Sequence, residues 1–325
     1  MALAMPATST RTALAMTEQQ RRDFDERGFI LLDNFFTPGE LERVLEAIDV
    51  VAARVRAAKG LPPDEPFALR NALTQHEAFL DLIDHPRMLP LVVDAIGWNI
   101  QIRTTHLDYR PPYPADLEAG ELGTGEGADH AAGYKNLVWH PDLAGPYLFE
   151  APSHDGLLPF MEIKVGYYLS DLTERHSGAI CLVPGSHLRK PQELRDMNFR
   201  VPADQFIELN VPANTAMVWR TQVWHCVTPN LSNTVRKVFY VGYHYRWLRP
   251  TDYIQQDPQL IARSSPTRRQ LLGALPPGVD PLGTDPDWEP SSRYWLLKDD
   301  EDVPLKKWAE ERSASGQERI EKAHI

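Results

Sequence analysis

"VWRTQVWHCVTPNLSNTVRKVFYVGY", residues 218–243, is the stretch on which the reading of this chain turns. It opens on an apolar and aromatic run, reverses through "PNLSN", and resumes as a second β-rich run from Thr234. Proline, asparagine and serine between two such runs are turn chemistry. His225 stands in the first run, and Arg236 stands 11 positions later in the second. A hairpin centred between Asn230 and Leu231 would set these two residues directly opposite, with Cβ atoms about 5 Å apart on one face. A slip of one residue would turn Arg236 outward. Lys237 follows it, so on an alternating strand one of the two faces solvent.

Strand signals continue on the upstream side. "KNLVWHPDL", "MEIKVGYYLSDL", "GAICLVPGSH", "DQFIELNV" and "NTAMVWRTQ" are short β-rich runs with turn residues between them. Such a series predicts a sandwich or barrel. Before it, "NIQIRTTHLDYRPP" alternates as a strand and stops at a proline pair. The first part of the chain is helical in pattern. Residues 17–27 are polar and end at Gly28, and "GFILLDNFF" then reads as a short strand. Thr37, Pro38 and Glu40 form a capping box with proline at N1. Leu41, Val44, Leu45, Ile48, Val51 and Val55 continue from it at helical spacing. Two short helices broken at Pro86 and closed at Gly97 come next. The expected organisation is one domain over 1–325. It comprises a disordered leader at 1–16, a helical part at 17–97, a β core at 98–247 and an extension at 248–325. The extension ends in a charged, helix-like tail. The glycine- and acid-rich stretch at 114–133 reads as a loop or lid.

Composition narrows the function. The net charge of −11 argues against nucleic acid or an anionic membrane as partner, although a local basic pocket is compatible with it. No apolar run is long enough to span a bilayer. Two cysteines, Cys181 and Cys226, are too few for a disulfide framework and read as buried free thiols. The expected location is the cytoplasm.

A metal site is the leading candidate for chemistry. In "NLVWHPDLAGP", His140 and Asp142 lie two positions apart and would share one face of a strand. Chance alone supplies about one His-x-Asp triplet in a chain of this composition, and His106-Leu107-Asp108 is a second. His225 offers a third ligand for one of the pairs. Two histidines and a carboxylate form the facial triad that holds Fe(II) and leaves positions open for oxygen and a co-substrate. These residue types also admit manganese or catalytic zinc. Arg236, if inward, suits a carboxylate through a bidentate pair.

"WHPD", "SGAICLVPGSH" and "WH…R" occur in this order, and "FDERGFILLDNFFTPGELERV" precedes them. In these motifs the chain resembles the phytanoyl-CoA dioxygenase family over roughly residues 18–247. The resemblance implies a mainly β fold with flanking α-helices around a double-stranded β-helix (jelly-roll, cupin-like) core. It also implies an Fe(II)- and 2-oxoglutarate-dependent dioxygenase, with His140, Asp142 and His225 as iron ligands and Arg236 on the 2-oxoglutarate carboxylate. His187 of "PGSH" becomes structural. Related halogenases carry a small residue at the position of Asp142, so the carboxylate favours oxygenation.

The expected reaction couples decarboxylation of 2-oxoglutarate to oxidation of a substrate C–H bond, with hydroxylation as the default outcome. The partners are a small molecule, such as a natural-product intermediate or amino-acid derivative, and O2. Acyl-CoA is disfavoured by the acidic chain. Arg103, Tyr134, Lys135 and Trp139 are candidate substrate contacts, and His130 and His154 could line an entrance. His106 and Asp108 read as structure or pocket wall, and Trp139, Trp219 and Trp224 as packing. The alternative function is a non-oxidative, metal-dependent cupin-like protein: a hydrolase or isomerase using the metal as a Lewis acid, or a small-molecule binder.

Overall fold

The computed structural model describes residues 15–113, 139–142, 156–274, 284 and 304–312. Its core is two antiparallel sheets. Six strands order as β1 (Phe29–Leu32), β7 (Thr215–Arg220), β4 (Glu162–Tyr168), β9 (Arg236–Tyr245), β3 (Ile100–Arg110) and β2 (Phe67–Arg70). Three shorter strands order as β6 (Ile207–Glu208), β5 (Ile180–Leu182) and β8 (His225–Val227). Sequence neighbours are often not sheet neighbours: β4 lies between β7 and β9, and β8 pairs with β5.

Three apolar layers follow from strand alternation. One face of the large sheet presents Ile163, Val165, Tyr167, Phe239, Val241 and Tyr243 to the helices. The other presents Tyr168, Met217, Trp219, Val238 and Tyr240 to Ile180 and Leu182 of the small sheet. Beyond the small sheet, Cys181 and Cys226 pack with Trp139, Val183, Leu194 and Trp224. Covering both faces explains why β4 is buried at every position and reads as a continuous run.

Helix α1 (Glu18–Glu26) precedes β1, and helix α2 (Pro38–Lys59) forms where its cap requires. The Thr37 hydroxyl accepts from the Glu40 backbone, the Glu40 side chain accepts from the Thr37 backbone, and Pro38 occupies the first turn. Gly60 ends the helix in the left-handed region. Helix α3 (Glu77–Leu80) precedes Pro86, and helix α4 (Leu89–Ile96) ends at Gly97. The sheet is tied to the segment after α3 by two buried phenols: Tyr167 Oη donates to the Leu82 carbonyl at 3.1 Å and Tyr243 Oη to that of Ile83 at 2.8 Å. Strand β2 belongs to the large sheet although it lies inside the part expected to be helical. Its four residues are too few to show a period. Residues 304–312 are helical and bury Leu305. Of the leader expected at 1–16, residues 1–14 lie outside the described residues, as does the loop at 114–133; Met16 is instead buried and ordered, its N–H donating to Asp94 Oδ2 at 3.0 Å.

The hairpin expected between His225 and Arg236 is not formed. β8 pairs with β5, whereas β9 pairs with β3 and β4, so the two residues belong to different sheets. The turn between them is held by one local and two remote partners. Asn230 donates to the Arg110 and Thr234 carbonyls, and its own carbonyl accepts from Tyr113. These contacts carry the chain across the sandwich rather than folding it back. Arg236 still points inward because β3 sets its register: Arg110 opposes Arg236, and Lys237 turns to the other face to reach Asp49 of α2 at 2.5 Å.

Candidate metal centre

His140 and His225 are held opposite one another by a reciprocal backbone pair, each N–H donating to the other's carbonyl at 3.0 Å. Their rings lie 4.5 Å apart. Asp142, two positions on, is anchored through its N–H to the Thr221 carbonyl at 2.9 Å. One donor atom from each of the three residues falls within 4.8 Å of the others. The set comes from two separated segments, so tertiary structure assembles it. Two imidazoles and a carboxylate suit a divalent transition metal.

The ring of His225 is oriented from behind. Nδ1 lies 2.9 Å from the Val223 carbonyl, so the proton on that nitrogen leaves Nε2, 3.7 Å from Asp142 Oδ2, free to ligate. Burial pushes the His225 imidazole down to about 4, which favours the neutral ligand form. For Asp142, burial opposes ionisation, but Lys164, His225 and His140 outweigh it and hold the carboxyl well below its usual range. Lys164 Nζ lies 2.8 Å from Asp142 Oδ2.

Arg236 is fully buried in the same inter-sheet layer. Its guanidinium donates to Asp108 and, at 2.8 Å, to Tyr240 Oη. Burial works against its charge, yet Tyr240 and Asp108 raise its pKa above the ordinary arginine value. The Tyr240 ring lies 5.9 Å from that of Trp219, which in turn lies 6.4 Å from that of His225. Room for the arginine is made by Gly178 at φ +79°, where a Cβ would stand 2.6 Å from Arg236 Cδ. Two buried donors on this wall, Arg236 Nε and Trp219 Nε1, have no partner among the described residues. Buried donors demand an acceptor. A small dicarboxylate on this wall fits that requirement.

The other expected residues distribute as follows. Arg103 donates from Nη1 to both carboxylate oxygens of Glu162, at 2.9 and 2.8 Å. Trp139 packs against Phe206 in the layer beyond the small sheet. Tyr134, Lys135, His130 and His154 lie outside the described residues. His187 is tied by Nε2 to the Asp25 carbonyl at 2.9 Å, and Cys181 and Cys226 are buried and free. Asp108 partners Arg236 and Arg110, and the His106 ring lies 4.5 Å from that of Tyr240. The second His-x-Asp pair therefore lines the wall that carries Arg236. Lys164 and Glu162 were missed. Their signal was two charges at i and i+2 in an otherwise apolar strand, which places both on one face.

A jelly-roll carrying two histidines and a carboxylate is the arrangement found in non-haem iron oxygenases. The chain belongs to the phytanoyl-CoA dioxygenase (PhyH) family, whose model matches residues 24–238. It is a 2-oxoglutarate-dependent non-haem iron dioxygenase. Among its relatives, a probable alpha-ketoglutarate-dependent hypophosphite dioxygenase of Stutzerimonas stutzeri is 22% identical over 256 residues, covering 70% of this chain and 78% of that protein. An ectoine dioxygenase of Nocardia farcinica is 23% identical over 179 residues, 52% of this chain and 50% of the relative. The fold is shared with HygX from Streptomyces hygroscopicus, solved with nickel and 2-oxoglutarate bound. That match has a TM-score of 0.53 at 18% identity, over 74% of this chain and 90% of HygX. No helix among the described residues is long and apolar enough to cross a membrane.

Proposed function

We propose that His140, Asp142 and His225 hold Fe(II), and that Arg236 anchors the distal carboxylate of 2-oxoglutarate. The enzyme then oxidises, and by default hydroxylates, a C–H bond of a small molecule. The observation that carries this reading is the convergence of three ligand atoms within 4.8 Å of one another. Iron bound there supplies oxygen activation coupled to decarboxylation of 2-oxoglutarate to succinate and carbon dioxide. The side chains do the rest. Val223 fixes the His225 tautomer, and Asp142 supplies the negative charge. Arg236, charged and buried, offers the diacid its Nε, which has no partner among the described residues, from a guanidinium whose plane is fixed by Asp108 and Tyr240. The aromatic wall of Trp219 and Tyr240 keeps water from that end of the site.

The relatives are named for small molecules, hypophosphite and ectoine. A substrate of similar size, such as a natural-product intermediate or an amino-acid derivative, is the reading these names support. Two free cysteines accord with a reducing cytoplasm. The test is titration of the protein with Co(II), followed by aerobic incubation with Fe(II), ascorbate and 2-oxoglutarate. Wild type is expected to bind the metal and form succinate, and His140→Ala to lose both. Equal metal binding by the variant would refute the assignment.

A further inference from the structure

We propose that Lys164 makes this centre a site for an anionic substrate, its buried ammonium serving as the counter-charge for a carboxylate or other oxyanion brought to the metal. The inference rests on the metal and 2-oxoglutarate reading above.

Lys164 lies on β4, within the six-stranded sheet, and is only 7% exposed. Its register opposite Trp219 and Gly242 points it into the inter-sheet layer. The ammonium sits over two aromatic faces, 5.7 Å from the Trp219 ring centroid and 5.3 Å from that of Tyr240. It has three N–H donors. Among the described residues its hydrogen-bond acceptor is a single oxygen, Asp142 Oδ2 at 2.8 Å. That oxygen also faces His225 Nε2, at 3.7 Å. The carboxylate that compensates the lysine is therefore the one that compensates the metal.

One negative charge shared between an ammonium and a divalent cation leaves the pair short of anion. A buried cation without a full partner is costly, and like charges a few ångströms apart repel strongly in an interior. The neighbouring charges do not close the gap. Glu162, two positions away on the same face, is engaged by Arg103 through both oxygens. Asp108 is engaged by Arg236 and Arg110. An incoming oxyanion beside Asp142 would accept the remaining lysine N–H bonds and relieve the repulsion at once. A neutral substrate would do neither, and a cationic one would add to the excess. Asp142 keeps 15% of its side chain exposed, so its carboxylate is not fully sealed from solvent.

Two sources could bring the oxyanion, the substrate or the metal-proximal carboxylate of 2-oxoglutarate, and the experiment separates them. Co(II)-loaded wild type, Lys164→Met and Lys164→Gln are titrated anaerobically with 2-oxoglutarate, using the cobalt absorption bands and calorimetry. Each is then titrated, at saturating 2-oxoglutarate, with acetate and with its neutral analogue acetamide. The glutamine variant keeps a donor for Asp142 without the charge, and so covers a folding failure of the methionine variant. Expected are acetate binding at least tenfold tighter than acetamide in wild type, loss of that preference in both variants, and 2-oxoglutarate affinity within threefold of wild type. A large loss of 2-oxoglutarate affinity would assign the lysine to the co-substrate and overturn the substrate class. So would equal acetate binding in all three proteins. Failure of wild type to bind Co(II) would instead refute the metal reading beneath it.

Discussion

Gly178→Ala tests whether the co-substrate wall is built as described, and Gly60→Ala is its internal control. Both glycines have positive φ, +79° and +63°. An L-residue in that region costs about 1–2 kcal/mol, and each alanine recovers about 0.4–1 kcal/mol by restricting the unfolded chain. These contributions are common to both variants. The difference is steric. A Cβ at position 60 meets nothing within 4 Å, whereas at position 178 it lies 2.6 Å from Arg236 Cδ. That atom is not the loose end of a side chain. Beyond it the guanidinium is held by Asp108 and Tyr240. Forcing a methyl group into such packing costs about 1–3 kcal/mol. Gly178→Ala is therefore expected to be about 1–3 kcal/mol less stable than Gly60→Ala by urea denaturation. The displaced guanidinium should also weaken 2-oxoglutarate by at least about 10-fold, or ~1.4 kcal/mol. The anaerobic Fe(II)–2-oxoglutarate absorption band reads that affinity, and Co(II) affinity serves as the control, since the atoms nearest a Cβ at 178 belong to Arg236 and Asn230 and not to His140, Asp142 or His225. Two alanine variants of equal stability, with wild-type 2-oxoglutarate affinity at position 178, would refute the reasoning.

Two further outcomes follow from the buried charges. Asp108→Asn leaves Arg236 without its carboxylate and should cost about 3 kcal/mol near neutral pH, the lower end for breaking a buried pair. Because Arg236 and Arg110 overcome burial and hold Asp108 below its ordinary 3.8, that contribution is present above about pH 4 and is lost on acidification. Stability curves of wild type and variant should therefore converge as the pH falls. A constant gap down to pH 2 would count against the pair. Burial pushes Glu162 up to about 7 from 4.5, against Arg103. The folded state then holds the proton more tightly than the unfolded chain, so stability is greatest below pH 4.5 and declines as pH rises through 7. Glu162→Gln should remove about 3 kcal/mol of that decline between pH 4.5 and 8, taken as the difference from wild type. Parallel curves would show that Arg103 keeps the carboxylate ionised throughout.

The candidate residues were legible where their motifs are local. His140 and Asp142 were expected to share one face of a strand; among the described residues His140 forms an isolated bridge with His225 and Asp142 lies in the turn that follows, so the pair is brought together without a regular strand. The Thr37–Glu40 capping box is complete within four residues, and α2 forms as expected. Alternation on β9 correctly separates Arg236 from Lys237. Period and capping depend on neighbours in sequence, so sequence carries them.

What tertiary structure alone decided is which strands meet. "PNLSN" has the chemistry of a reversal, but turn residues do not say whether the next strand returns beside the last or crosses to another sheet. Bonds from Asn230 to Arg110 and Tyr113, far away in the chain, make it cross. The same holds for charge partners. Nothing near Lys164 in sequence points to Asp142, nor anything near Arg236 to Asp108, because an ion pair depends on distance in space, and folding sets that distance. The residue types that could ligate a metal were thus visible in local motifs. The counter-charges beside those candidates were fixed only when the two sheets closed on each other.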